Sequence, residues 1–404
     1  MGFPIETSLL SASLLQLDSR MFPLNAALDV DNRNHSTENH PQIAPKIPLV
    51  IKSFAALGDS YASGVGAGKQ LDETCWRYSG SYPVQLNNSG IFGGHTLSMQ
   101  FLACTGAVMK KDWGVTTFSG SSKTMHIWDQ INALRDADFV TLSIGGNDIG
   151  FFDLLNACLF QFYGPASPNC ETVKKVARAR ILSREFWQTY SLVLDAILRK
   201  NPARSFRIFA NGYGKFFDTA LTEECNTKSL GYWLGYQPKL TVKTRRELNE
   251  ISTMLNDRIG QIISWKKNER VILVNWDPRF DSHRFCRPRK GLTDPDTWFF
   301  DSRFRLRGGD PIDPETCKED SKVAVGDWDA QARCAIAITH ANYPKLRPIL
   351  RRPIGKIDPF GPENGRLFHP KPEGYKAMVD QILQVWPYTV AETKVEADNA
   401  RLDK

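Results

Sequence analysis

Three apolar runs, each closed by a glycine-bearing polar turn, constrain this chain more than anything else in it. The first, 49–57, is broken only by Lys52 and Ser53 and ends in Gly58-Asp59-Ser60. It reads as a buried strand. The second, 95–103, alternates as a strand does and ends in Cys104-Thr105-Gly106-Ala107. The third, 137–144, ends in Gly145-Gly146-Asn147-Asp148. Between the last two, Ile127, Trp128, Ile131 and Leu134 recur at helical spacing, and between the first two 75–86 reads as a loop and a short helix. Strands that alternate with helices call for crossovers and parallel pairing.

The alternation continues. Helical periodicity over 186–198 stops before Pro202, and a strand over 206–210 ends in Asn211-Gly212-Tyr213-Gly214. Leu248, Ile251, Leu255, Ile259 and Ile262 mark a long amphipathic helix over 243–265. A fifth strand follows at 271–276, and a last helix at 371–386 turns Tyr375, Met378, Val379, Ile382 and Trp386 inward. The expectation is an α/β domain over 47–390 with a central, mostly parallel five-stranded sheet. Residues 277–350 break the pattern with Pro, Arg and Asp, and read as an insertion or cap over the site, stapled by disulfides. Residues 1–46 read as a leader or disordered segment and 391–404 as a charged tail. A secretory signal wants a basic start and about 7–15 apolar residues. The stretch 1–17 has no early Lys or Arg and is interrupted by Glu6, Thr7, Ser8, Ser11 and Ser13, so it matches poorly.

Composition narrows the partners. The 404 residues carry a net charge of +7 from 51 basic and 44 acidic side chains, spread without a basic block, which disfavours nucleic acid. No run is long and apolar enough for an integral membrane span. The eight cysteines have no Cys-x-x-Cys spacing, which disfavours a zinc ribbon. Dispersed and even in number, they suggest disulfides and an oxidising compartment. Sequence order suggests the pairs 75–104, 158–170, 225–286 and 317–334, among about 105 possible connectivities.

A hydroxyl that follows a strand end stands where open α/β sheets bind ligands. Ser60 is the candidate nucleophile; the competing reading is a turn in which Asp59 or Ser60 caps a helix. Serine needs a base. Of the seven histidines, His369 stands in a loop directly before Pro370 and the last helix, and is the candidate base. Attack on an ester carbonyl needs donors for the oxyanion. The backbone amides of Ser60 and Gly106 and the side-chain amide of Asn147 would supply them from three strand ends. Asp59 and Asp148 read as turn or capping residues. Tyr213 and Trp276 read either as acyl-pocket lining or as core.

These four blocks, Gly58-Asp59-Ser60-Tyr61, Leu102-Ala103-Cys104-Thr105-Gly106-Ala107, Gly145-Gly146-Asn147-Asp148 and His369-Pro370, resemble the GDSL-type, or SGNH, hydrolase superfamily, and its secreted esterase and lipase branch in particular. The resemblance implies a three-layer α/β/α, flavodoxin-like fold and ester hydrolysis through an acyl-serine. It also implies Ser60 as nucleophile, His369 as base, and Ser60, Gly106 and Asn147 as the oxyanion hole, with no metal or organic cofactor. One position departs from the family pattern. The Asp expected three residues before the His is Arg366, which cannot accept the imidazole proton. The backbone carbonyl of Arg366 is the simplest substitute, giving a Ser–His dyad; Asp358 or Glu363 would serve if the loop folds back. The expectation is a monomeric, secreted or secretory-pathway hydrolase of a small ester or lipid. An acyltransferase on the same scaffold and an inactive secreted binding protein are the alternatives.

Overall fold

The computed structural model describes residues 50–92, 96–110, 125–161, 165, 167–231, 233–290, 292, 294–300, 337, 339, 341–348 and 366–387. The expected leader at 1–46, the tail at 391–404, Cys317, Cys334, Asp358 and Glu363 lie outside these residues.

The five expected strands form one sheet: β1 (Ser53–Gly58), β2 (Ser98–Phe101), β3 (Phe139–Ser143), β4 (Arg207–Asn211) and β5 (Val271–Val274). Their order is β2-β1-β3-β4-β5, and every pairing is parallel. β1 and β3 are buried on both sides by helices, which is why they read as unbroken apolar runs rather than alternating ones. The chain leaves β1 to one side for β2 and returns to the other side for β3. The topological switch point, where open sheets place their ligand crevice, therefore lies between β1 and β3.

Helices cover both faces, giving three α/β/α layers. On one face α2 (Tyr82–Asn87) packs against α8 (Pro372–Gln384). There Phe54 stacks on Phe139 at 4.8 Å, and Trp386 stacks on Phe209 at 4.8 Å. The other face carries α3 (Ile127–Ala133), α5 (Cys170–Leu182), α6 (Arg184–Lys200) and α7 (Val242–Lys266), which pack on one another. Helix α5 is absent from the sequence expectation. Its apolar stripe is short and one of its inward positions is Lys174, fully buried and paired with Glu171 and with Glu247 of α7. A charged residue in the core stripe hides the helical period.

Three disulfides close as sequence order suggests: Cys75–Cys104, Cys158–Cys170 and Cys225–Cys286. Of the expected insertion, 298–300 runs beside the chain at 368–371. Phe368 N donates to Phe300 O at 3.2 Å, Phe300 N to His369 O at 2.9 Å, and Lys371 N to Trp298 O at 2.7 Å.

The end of β1 is the tightest point of the sheet. Gly58 has φ +133°, and a Cβ there would lie 2.0 Å from the carbonyl oxygen of Ser143 on β3. Only glycine takes that conformation without strain, and backbone on a neighbouring strand cannot swing aside. Gly58→Ala is therefore expected to destabilise the fold by on the order of 3 kcal/mol or more, read as a lowered urea midpoint at unchanged m-value.

Candidate active site

Directly after Gly58 the chain turns into a one-turn helix, α1 (Ser60–Ser63). Asp59 caps it, its Oδ1 accepting the N–H of Tyr61 at 3.0 Å, and Gly64 ends it in the left-handed region at φ +81°. Ser60 stands in the first helical position, where a backbone N–H has no intrahelical acceptor. Its side chain meets His369, with Nε2 to Oγ at 2.6 Å. His369 ends a turn in which its own N–H donates to Arg366 O at 2.8 Å, and the preceding Phe368 has φ +61°. Its Nδ1 lies 3.2 Å from the carbonyl oxygen of Leu367. These contacts assign the tautomer: Nδ1–H donates to Leu367 O, and Nε2 accepts the Ser60 hydroxyl proton.

The turns after β2 and β3 close on each other beside Ser60. Cys104 N donates to Gly58 O at 3.0 Å, which holds the second turn at the end of β1. Gly106, at φ +80°, sits within that turn. Asn147 Nδ2 donates to Ala107 O at 3.0 Å, and Asp148 Oδ1 accepts from Met109 N at 2.8 Å and Lys110 N at 3.2 Å. Ser60, Asn147 and His369 share the wall of one pocket; Gly106 is not part of that wall and lies in the turn behind Asn147. The rest of the lining is largely apolar: Phe151, Phe152, Leu155, Phe160, Leu367 and Phe368. Four of these come from α4 (Phe151–Leu155) and the π-turn Asn156–Phe160 that continues it, which Cys158–Cys170 ties to α5. Sequence reasoning left this stretch unassigned.

No family model matches the chain. It is 32% identical to a lipase of Streptomyces rimosus over 178 residues, 43% of this chain and 56% of that protein. It is equally 32% identical to Lipase 1 of Streptomyces coelicolor over 182 residues, 43% of this chain and 57% of that protein. These relatives are in keeping with the resemblance to the GDSL-type, or SGNH, hydrolase superfamily. The chain spans a little over half the length of these curated relatives. Among solved structures, phospholipase A1 from Streptomyces albidoflavus aligns with a TM-score of 0.44 at 24% identity, over 64% of this chain and 89% of that one.

One site expectation needs correcting. The carbonyl facing the imidazole is that of Leu367, not Arg366. The Arg366 carbonyl is turned away by its bond to the His369 N–H, and the left-handed Phe368 aims the Leu367 carbonyl at the ring instead. The Arg366 side chain lies over the Phe300 ring at 4.7 Å and against Gly66, where a Cβ would come within 2.4 Å of it. Of the two aromatic candidates, Tyr213 lines the pocket. Trp276 is fully buried, its Nε1–H on Gly212 O at 2.9 Å, and is core.

Asp59 and Asp148 hold the first and third turns in place. Tyr213 donates its hydroxyl to Asp59 Oδ2 at 2.5 Å and accepts Gly146 N at 2.9 Å, so it bridges the first and third turns. Burial raises Asp59 from 3.8 to about 7, against the lowering effect of its bonds from Tyr213 and Tyr61. Burial likewise raises Asp148 to about 7, against its bonds from Met109 and Lys110, and the charge of Asp59 adds to the rise. A carboxyl whose folded pKa lies above its unfolded one stabilises the fold below the unfolded value, and that contribution is lost as pH rises through the folded one. The contribution of these two carboxyls to stability is therefore expected to fall as pH rises from about 4 through about 7. Asp59→Asn should shrink that fall in urea midpoints measured across the range.

Proposed function

We propose that this protein hydrolyses carboxylic esters through an acyl-serine intermediate. The observation that carries the reading is the 2.6 Å contact between Ser60 Oγ and His369 Nε2 at the switch point of the sheet. His369 Nε2 takes the Ser60 proton as Oγ attacks the ester carbonyl carbon. The carbonyl oxygen becomes an oxyanion, received by the Ser60 N–H and by Asn147 Nδ2, which share the pocket wall with His369; Gly106, outside that wall, shapes the turn that Asn147 Nδ2 binds. Collapse breaks the bond to the alcohol oxygen, which leaves with the proton from the imidazolium. Water then gives a proton to Nε2 and attacks the acyl carbon, releasing the acid and restoring the Ser60 hydroxyl. The Leu367 carbonyl holds the ring through Nδ1–H. The acyl chain lies along the phenylalanine wall, in keeping with the lipases to which the chain is similar.

Three disulfides, and the extracellular origin stated for the solved Streptomyces rimosus lipase, support a secreted protein. Hydrolysis of p-nitrophenyl esters of short and long chain length tests the reading. The expected result is p-nitrophenol release with formation of the free acid. Acyl product formed only with an added acceptor alcohol would replace hydrolysis with transfer. Inactivity on every chain length, with no labelling by a fluorophosphonate, would mean an inactive scaffold.

A further inference from the structure

The residue after the nucleophile reaches across to the base. Tyr61 is 3% exposed, and its hydroxyl donates to the carbonyl oxygen of Phe368, the residue before His369, at 2.9 Å. Its backbone N–H is held by Asp59 Oδ1. Its ring lies 5.0 Å from the His369 ring and meets the Tyr213 ring edge-on at 5.1 Å. Tyr213 in turn bridges Asp59 and Gly146. Two buried tyrosines thus connect the nucleophile turn, the Asn147 turn and the histidine loop.

The bond to Phe368 falls on the part of that loop that most needs holding. Phe368 is a non-glycine residue at φ +61°, a conformation that side chains of its size rarely adopt unless their surroundings hold them there. That conformation directs the Leu367 carbonyl onto His369 Nδ1. The loop is also anchored by its backbone pairing with Phe300, by the turn to Arg366, and by the Phe368 ring packed against Phe160, Phe216 and Phe285. Of these contacts, the Tyr61 bond is the one made from the nucleophile's own helix.

We propose that Tyr61 is a positioning residue for the ester-hydrolase reading above: its hydroxyl fixes the Phe368 peptide, and through it sets the imidazole in line with Ser60 Oγ. It touches no reacting atom. It couples base to nucleophile because it is covalently next to one and hydrogen-bonded to the chain of the other. A small misplacement of a general base costs rate rather than substrate affinity, roughly up to 10²-fold.

The test is Tyr61→Phe, which keeps the ring packing and removes only the hydroxyl. Tyr82→Phe is the matched control, since Tyr82 is also fully buried and its hydroxyl contacts Asn211 rather than the histidine loop. Both variants are checked for folding by circular dichroism. Tyr61→Phe is expected to lower kcat, and the rate of fluorophosphonate labelling, roughly 10–100-fold with KM little changed, while Tyr82→Phe stays within about twofold. In a His369→Ala background, Tyr61→Phe should cost nothing further in residual p-nitrophenyl acetate hydrolysis, because it acts through the imidazole. Labelling by Tyr61→Phe within twofold of wild type, or an equal loss in the His369→Ala background, would overturn the proposal. A wild-type protein that neither hydrolyses nor labels would instead remove the ester-hydrolase reading itself.

Discussion

Ser60→Ala is expected to lower kcat for an activated ester by roughly 10⁴–10⁶-fold while leaving the fold intact. The side chain is small, 7% exposed and points into the pocket, so its hydroxyl contributes little to packing. Its replacement keeps the Ser60 backbone N–H, the Asn147 amide and the phenylalanine wall, so substrate binding should survive. A serine protease loses about as much from its serine alone as from its whole triad, and what remains comes from the oxyanion hole and binding. The measurement is steady-state turnover of p-nitrophenyl esters, with thermal unfolding to show that the variant is folded. A loss below tenfold would mean that another residue, or water directly, performs the attack.

His369→Ala should be nearly as damaging, and the two losses should not add. With the imidazole gone, the Ser60 hydroxyl has no acceptor for its proton at the moment of attack, and a neutral hydroxyl is a weak nucleophile. A loss of roughly 10⁴-fold or more in kcat is expected, and Ser60→Ala/His369→Ala should be no slower than the slower single variant. Additive losses in that double variant would show that the two residues act separately, despite their 2.6 Å contact. A backbone carbonyl behind the ring adds a second expectation. Leu367 O carries only a partial charge, so it orients the neutral ring well but stabilises the imidazolium less than a carboxylate does. Substituting the Leu367 side chain should therefore leave the carbonyl's role intact and act only through the pocket wall.

The sheet and the four turns are legible in the sequence for a definite reason. Parallel strands buried on both faces must be apolar throughout, and a chain that leaves them at one edge must turn sharply. Gly58, Gly106 and Gly145 all take positive φ at those turns. Glycine and polar residues after an apolar run therefore report the geometry directly. The expected strands overrun β1, β2, β3 and β5 by a few residues, because apolar residues such as Ile51 and Ile144 continue past the last ladder bond, while β4 is displaced by one residue.

What was not legible depends on features that single residues do not advertise. Helix α5 hides behind a buried lysine whose partner, Glu247, lies 73 residues away. The pocket wall of Phe151 to Phe160 is apolar on nearly every side, so no period marks which face meets the substrate. Position alone makes the Arg366 carbonyl the simplest partner for His369, and the structure places the Leu367 carbonyl there instead. Whether a carbonyl points toward or away from a side chain two residues on depends on one backbone dihedral, that of Phe368, and nothing about a phenylalanine signals a left-handed conformation. Tyr61 is the sharpest case. It is read as the fourth letter of a nucleophile motif, yet its hydroxyl acts 307 residues further along the chain.

The central claim is that Ser60 attacks carbonyl carbon with His369 as its base. Trapping with a fluorophosphonate, followed by peptide mass spectrometry, tests it most directly. One adduct per chain is predicted, on the peptide carrying Ser60, and it should be lost in both Ser60→Ala and His369→Ala. An adduct on any other residue, or labelling of Ser60 that proceeds unchanged without His369, would contradict the account.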